Sequence, residues 1–117
     1  MKQNNKGHSS EAVQYAEGLS TQLRKGFLAL CVLKVCKTPR YTTEIIGTLH
    51  SVDMVVVEGT IYPLLSRLSK DGLLAYEWQE SEQGPPRKYY HTTPLGTEVT
   101  QLVSNTMDAL KRTIERL

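Results

Sequence analysis

Two short stretches carry the side chains best suited to chemistry. In the first, running from about Glu58 to Asp71, Ile61, Leu64, Leu65 and Leu68 fall at i, i+3, i+4 and i+7, so one face of a helix turns inward. The other face then offers Gly59, Thr60, Tyr62, Pro63, Ser66, Arg67 and Lys70. Hydroxyls and a guanidinium suit phosphate oxygens and base edges. The helix start at Gly59-Thr60 would point free N–H groups to where a phosphate could sit. The second stretch is Gly84-Pro85-Pro86-Arg87-Lys88. Two prolines stiffen a loop and two cations follow, a combination able to grip the phosphate backbone or enter a minor groove. Each stretch alone also fits a solvated helix face or a solubilising hairpin tip. Together they are far more specific, and the chemistry they describe is recognition of double-stranded DNA.

Catalysis has no comparable support. His8, His50 and His91 are scattered without metal-ligand spacing. The chain has neither a glycine-rich phosphate loop nor a nucleophile motif. Glu77, Glu80 and Glu82 read as solvated carboxylates near the hairpin, and Trp78 as a residue packed in the core. The expectation is a protein that is not an enzyme and holds no metal and no cofactor.

The elements that must position these side chains follow from periodicity. Residues 1–9 are polar and read as disordered. Ser10 is placed to cap a short helix over Glu11–Glu17 that Gly18 ends. Leu19, Leu23, Phe27, Leu30 and Leu33 then form the stripe of an amphipathic helix ending near Lys37, where Thr38-Pro39 stops it. A second helix spans residues 41–52, with Ile45, Ile46 and Leu49 apolar, and Asp53 ends it. The third is the Glu58–Asp71 helix, with Pro63 in about its first turn and Gly72 as the residue just past its end. Leu74, Tyr76 and Trp78 alternate as a strand does. A turn of about five residues at Glu82–Pro86 leads into a returning strand over Arg87–Thr92. Thr93 caps a last helix with Pro94 at its first position. Three helices followed by a hairpin is the order of a winged helix-turn-helix, in which the third helix enters the major groove. The fold class is therefore mainly α with a small β-hairpin.

Composition agrees with one intracellular domain. The 117 residues are a single domain's worth, and no apolar run is long enough for a membrane span. The polar start MKQNNKGHSS lacks the apolar stretch of a signal peptide, so a cytoplasmic location is expected. The net charge of +2 is unevenly spread: residues 1–40 hold +5, so the basic part lies in the N-terminal third. Cys31 and Cys36 sit in an apolar pattern and read as reduced core thiols.

The stretch Val57-Glu58-Gly59-Thr60-Ile61-Tyr62-Pro63-Leu64-Leu65-Ser66-Arg67-Leu68, followed by Lys70-Asp71-Gly72-Leu73-Leu74, closely resembles the PadR family of transcriptional regulators. The wing Gly84-Pro85-Pro86-Arg87-Lys88-Tyr89-Tyr90 matches as well, as do Thr93 followed by Gly96 and Leu23-Arg24-Lys25-Gly26. The resemblance covers residues 19–117. It implies a homodimeric, usually repressing regulator that binds inverted repeats near promoters. The family's DNA-facing groups fall on Thr60, Tyr62, Pro63, Ser66, Arg67, Arg87 and Lys88. Two departures stand out. Tyr41-Thr42-Thr43-Glu44-Ile45 opens the second helix without the family's glycine, at the place where Tyr41 would contact a phosphate, and His91-Thr92 replaces a commoner basic–apolar pair.

In the last helix Val99, Val103, Met107, Leu110, Ile114 and Leu117 step by four, four, three, four and three, close to a heptad seam. A domain this small cannot cover its whole length, so the outer turns are expected to meet a partner helix. The resemblance makes that partner a second copy, in the short, single-helix variety of the family. The expected division is a flexible extension over residues 1–18, a winged-helix domain over 19–93 and a dimerisation helix over 94–117. Two other readings remain open: a protein-interaction module that no longer binds DNA, and a sensor with a small-molecule effector. The last helix has no Trp, Phe or Tyr, which gives an aromatic-stacking effector no platform.

Overall fold

The structure is a computed structural model that describes residues 7–117. Four helices and one hairpin follow in order: α1 (Ser10–Val35), α2 (Thr42–Ser51), α3 (Glu58–Lys70), β1 (Leu74–Ser81), β2 (Gly84–Thr92) and α4 (Pro94–Glu115). This is the winged helix-turn-helix with a long C-terminal helix.

The N-terminal region differs from expectation. Residues 1–6, read as disordered, lie outside the described residues. The remainder of the expected flexible extension is helical from Ser10, so α1 is one helix of 26 residues and not a short helix followed by a long one. Ser9, not Ser10, caps it, accepting a hydrogen bond from the Ala12 N–H at 3.1 Å. Gly18 stays inside the helix: one interior glycine costs only about 1 kcal/mol, too little to end a run with good helix formers on both sides. The stripe on α1 is also only partly buried. Leu30 and Leu33 are in the core and Phe27 packs at its margin, but Leu19 and Leu23 are exposed.

The core is built where α1, α2 and α3 meet under the base of the hairpin. Val32, Cys36, Ile45, Leu49, Ile61, Leu65 and Leu74 are its best-covered members. Two helices end on the same hydrogen-bonded turn. After α3, Gly72 has φ 79° and donates to the Ser69 carbonyl, while Leu73 donates back to Leu68 at 2.9 Å. After α2, Asp53 takes the left-handed conformation (φ 64°) and Met54 donates to Leu49, also at 2.9 Å. Both turns feed an apolar residue back into the core, which is why the chain can turn sharply between α2, α3 and β1. Pro63 is the sixth residue of α3, in its second turn and not its first. It therefore removes one bond of the ladder, at an exposed position where water can satisfy the freed Gly59 carbonyl.

The hairpin is tighter than the sequence suggests. Its turn holds only Glu82 and Gln83, and Gly84, Pro85 and Pro86 already belong to β2. Pairing is regular from Leu74↔Thr92 to Gln79↔Arg87, then shifts before Ser81↔Gly84. Proline has no N–H to offer a ladder, and Pro85 and Pro86 fall in this irregular stretch, between the Gln79↔Arg87 and Ser81↔Gly84 pairs. Arg40 adds a bridge on the free edge of β2, exchanging both backbone hydrogen bonds with Tyr90 at 2.8–2.9 Å. No described helix is long and apolar enough to cross a membrane.

Candidate nucleic-acid interface

Three elements converge on one open cleft of about 430 Å³: the start of α2, the outer face of α3 and the inner face of the hairpin. Its lining includes Tyr41, Tyr62, Ser66, Pro86, Arg87 and Lys88, six of the residues singled out in the sequence. Gly59, Thr60, Pro63, Arg67 and Lys70 are exposed on α3 outside that lining. α3 can present all of them because its apolar stripe is spent on the core: Ile61, Leu64, Leu65 and Leu68 are buried.

The two wing cations do different things. Alternation along β2 starts adjacent side chains on opposite faces, yet both side chains reach the lining of the same cleft, over different rings. Arg87 lays its guanidinium over the Tyr41 ring, 4.5 Å from the centroid, and Tyr41 in turn meets the edge of Tyr89 at 5.3 Å. Lys88 instead places its ammonium over Tyr76 at 4.4 Å and Trp78 at 5.3 Å. Each cation is thus held by aromatic faces rather than by a carboxylate, so its charge is not neutralised. Nor do they sit at the tip, which is Glu82-Gln83; the cations lie a few residues back along β2.

Trp78 is the main residue that sequence reasoning misplaced. The alternation of β1 reads it as core, yet exposure climbs along β1 from Leu74 at 2% through Tyr76 at 44% to Trp78 at 62%. The alternation is that of a half-buried strand, but the strand projects away from the helices that would bury it. Trp78 lines the cleft together with Tyr90, whose phenol is shifted upward by burial and then by its neighbours Tyr62, Tyr76 and Cys36. The available signal was the hairpin itself, since residues far from its base have nothing to pack against.

The helix starts are less open to anions than expected. In α2 the Tyr41 N–H donates to the Glu44 carboxylate at 3.2 Å, so the helix's own acid occupies that donor. Thr42 and Thr43 remain on the cleft wall. Thr42 is the first helical residue, a position that needs no glycine. In α3 the Thr60 N–H donates to the Val57 carbonyl at 3.0 Å, and Glu58 puts a carboxylate in the first turn. Side chains, more than backbone N–H groups, therefore make up the polar surface here. Among the described residues no cluster of three His, Cys, Asp or Glu is placed to hold a metal ion.

This arrangement has known counterparts. The model of the "Transcriptional regulator PadR-like family" matches residues 30–102. The chain belongs to the PadR-like family. A PadR-like transcription factor from Bacteroides fragilis is 44% identical, with a TM-score of 0.73, covering 85% of this chain and 97% of that one. A PadR family transcriptional regulator from Eggerthella lenta is 30% identical, with a TM-score of 0.82, and the match covers 92% and 96% of the two chains. A PadR-like regulator from Bacillus cereus is 33% identical, with a TM-score of 0.71, covering 81% and 94%. No curated protein matches the sequence. As a PadR-like protein the chain is a DNA-binding transcriptional regulator and not an enzyme. The cleft lies between the second and third helices of the helix-turn-helix and the hairpin.

Proposed function

We propose that this PadR-like regulator acts in the cytoplasm as a homodimeric repressor on inverted-repeat operators. The observation that carries the reading is the joint surface of α3 and the wing, where Tyr62, Ser66, Arg87 and Lys88 meet around one cleft. α3 offers Thr60, Tyr62, Ser66 and Arg67 to base edges in the major groove. The wing, with Pro86, Arg87 and Lys88, meets backbone or the adjacent minor groove, where base information is degenerate. Tyr41, Gly59, Pro63 and Lys70 complete the contact as positioning groups.

Dimerisation is supported by apolar surface left uncovered on both long helices. On α4 exposure rises outward from half-buried Val99 and Val103 to Met107 at 37%, Leu110 at 57% and Ile114 at 73%, and Leu117, just past the helix end, is fully exposed. Leu19 and Leu23 on α1 and Leu102 on α4 are exposed as well. In such a dimer the two α3 helices must lie about 34 Å apart to read half-sites one helical turn apart.

The test is a titration of Tyr62→Ala, Arg67→Ala and Lys88→Ala on the footprinted operator and on random duplex, at several salt concentrations. Lys88→Ala should weaken both duplexes alike and flatten the salt dependence by about one unit of slope. Tyr62→Ala and Arg67→Ala should cost about 1–3 kcal/mol mainly on the operator. Equal losses on both duplexes for Tyr62→Ala would reduce α3 to a positioning role. No loss for any of the basic residues would replace this reading with that of a protein-interaction module.

A further inference from the structure

α4 is tied to the domain at its first turn and then packs against α1, with Val99 and Val103 half-buried. Of its 22 residues only Gly96 is buried. Thr93, the cap, donates its N–H to the Leu73 carbonyl at 3.1 Å. Its hydroxyl donates to the Gly72 carbonyl at 2.6 Å, with the Leu73 carbonyl also in reach at 3.2 Å, and accepts from the Gly96 N–H at 3.0 Å. Next to it, Thr92 donates its N–H to the Cys36 carbonyl at 2.9 Å and its hydroxyl to the Leu33 carbonyl at 2.7 Å. Gly72 and Leu73 are the same residues that close α3. One side chain therefore ties the end of the DNA-facing helix to the start of the helix proposed to dimerise, and its neighbour adds the end of α1.

Gly96 seals this joint. A Cβ there would run into the Leu73 carbonyl oxygen and come within 2.7 Å of the Thr92 methyl. Backbone lies on that side, so no flexible side chain can move away to make room. α4 packs against the α3–β1 turn at a distance only glycine permits.

The geometry matters because α4 is a lever. Its 22 residues make it about 33 Å long. A tilt of about 10° at one end of such a lever moves the other by about 6 Å, close to two base-pair steps of 3.4 Å. We propose that Thr93 and Gly96 are positioning residues: they fix the angle between α4 and α3 and thereby set the half-site spacing that the dimer accepts. This rests on the reading of the protein as an α4-linked dimer on two half-sites. Neither residue lines the cleft; both act through the placement of α3.

The experiment uses full-length protein carrying Thr93→Val, Thr93→Ser or Gly96→Ala. Probes are duplexes with the footprinted inverted repeat whose spacer is shortened or lengthened by one or two base pairs, and a duplex with a single half-site. Sedimentation and far-UV circular dichroism accompany each titration. Wild-type protein should prefer one spacer. Thr93→Val and Gly96→Ala should remain dimeric and bind the single half-site within about twofold of wild type, but lose about tenfold on the preferred spacer, the cost of one or two base contacts out of register. Their optimum should broaden or move, and Thr93→Ser should restore it. Equal weakening on every duplex, or an unchanged optimum, would overturn the proposal and leave the joint purely structural. If Gly96→Ala fails to fold, Thr93→Val and its serine rescue decide alone. A wild-type dimer indifferent to spacing would overturn this inference while leaving the dimer intact. A wild-type monomer would overturn the proposed function itself.

Discussion

α3 and α4 are both amphipathic at the helical period, and the fold treats them in opposite ways. On α3 the apolar stripe Ile61, Leu64, Leu65 and Leu68 is closed under α1, α2 and β1, which leaves the polar face free to meet a ligand. On α4 the stripe begins at the core with Val99 and runs out past it, so that Leu110 and Ile114 are exposed. A periodic stripe says that a helix has a face to bury. Whether the same chain buries it depends on how far the helix extends beyond the domain. A helix whose apolar face is covered within the chain thus stands beside one whose apolar face is left open over its outer turns.

The sharpest way to break that comparison is to make parallel changes in the two stripes. Leu65→Ala should cost about 2–5 kcal/mol of fold stability, whatever the protein concentration, because it opens a cavity in a closed core. Leu110→Lys with Ile114→Lys should leave the fold intact but give monomers by sedimentation, and weaken operator binding by about a hundredfold or more through loss of the second half-site. An unchanged dimer would place the interface elsewhere, with the exposed stretch of α1 the next surface to examine.

The two thiols sharpen the same contrast between closed and open packing. Cys36 lies in the core, where burial pushes its thiol up to about 12, with Arg40 pulling slightly the other way. Cys31 is only half-buried on α1; burial raises it too, against a lowering influence from Lys34. At pH 8 a thiol of pKa near 12 is ionised only to about one part in ten thousand, so alkylation of native protein should label Cys31 and spare Cys36 until the chain unfolds. The unfolded thiol gives up its proton first. The contribution of Cys36 is therefore fully present below the ordinary thiol value of 9.0 and lost as pH rises toward 12, so the urea midpoint should fall over that range. Labelling of Cys36 at the rate of Cys31 would mean that the core under α3 opens readily.

The smallest effect concerns the paired turns after α2 and α3. Gly72→Ala should cost about 1 kcal/mol, since its φ of 79° disfavours a side chain. Asp53→Gly should change stability by less than about 1 kcal/mol, because relief of the left-handed aspartate is offset by greater freedom in the unfolded chain. Urea denaturation of the two variants checks both; a large gain from Asp53→Gly would show real strain at the start of the helix-turn-helix turn.

Much of the site was legible before any coordinates. The i, i+3, i+4, i+7 stripe of α3 dictated which of its residues face outward, because a helix has one repeat and the core takes the apolar side. The Gly72 turn and the Thr93-Pro94 start of α4 were equally local, as each depends on one or two residues and their own backbone. Other features were not local. Gly18 fails to end α1 because one glycine is too small a penalty to outweigh good helix on either side. The hairpin turn contracts to two residues because Pro85 and Pro86 can enter an irregular strand, an option no turn rule decides. Trp78 looked like core because alternation predicts two faces but not whether anything covers them, and Arg87 and Lys88 looked like one basic tip because adjacency in sequence hides opposite faces in a strand. The sequence by itself determined which elements form and which side of each is apolar. Tertiary structure alone decided what those sides meet, since burial depends on the distance between elements, and that distance is set by contacts such as Gly96 against Leu73, far apart in the chain.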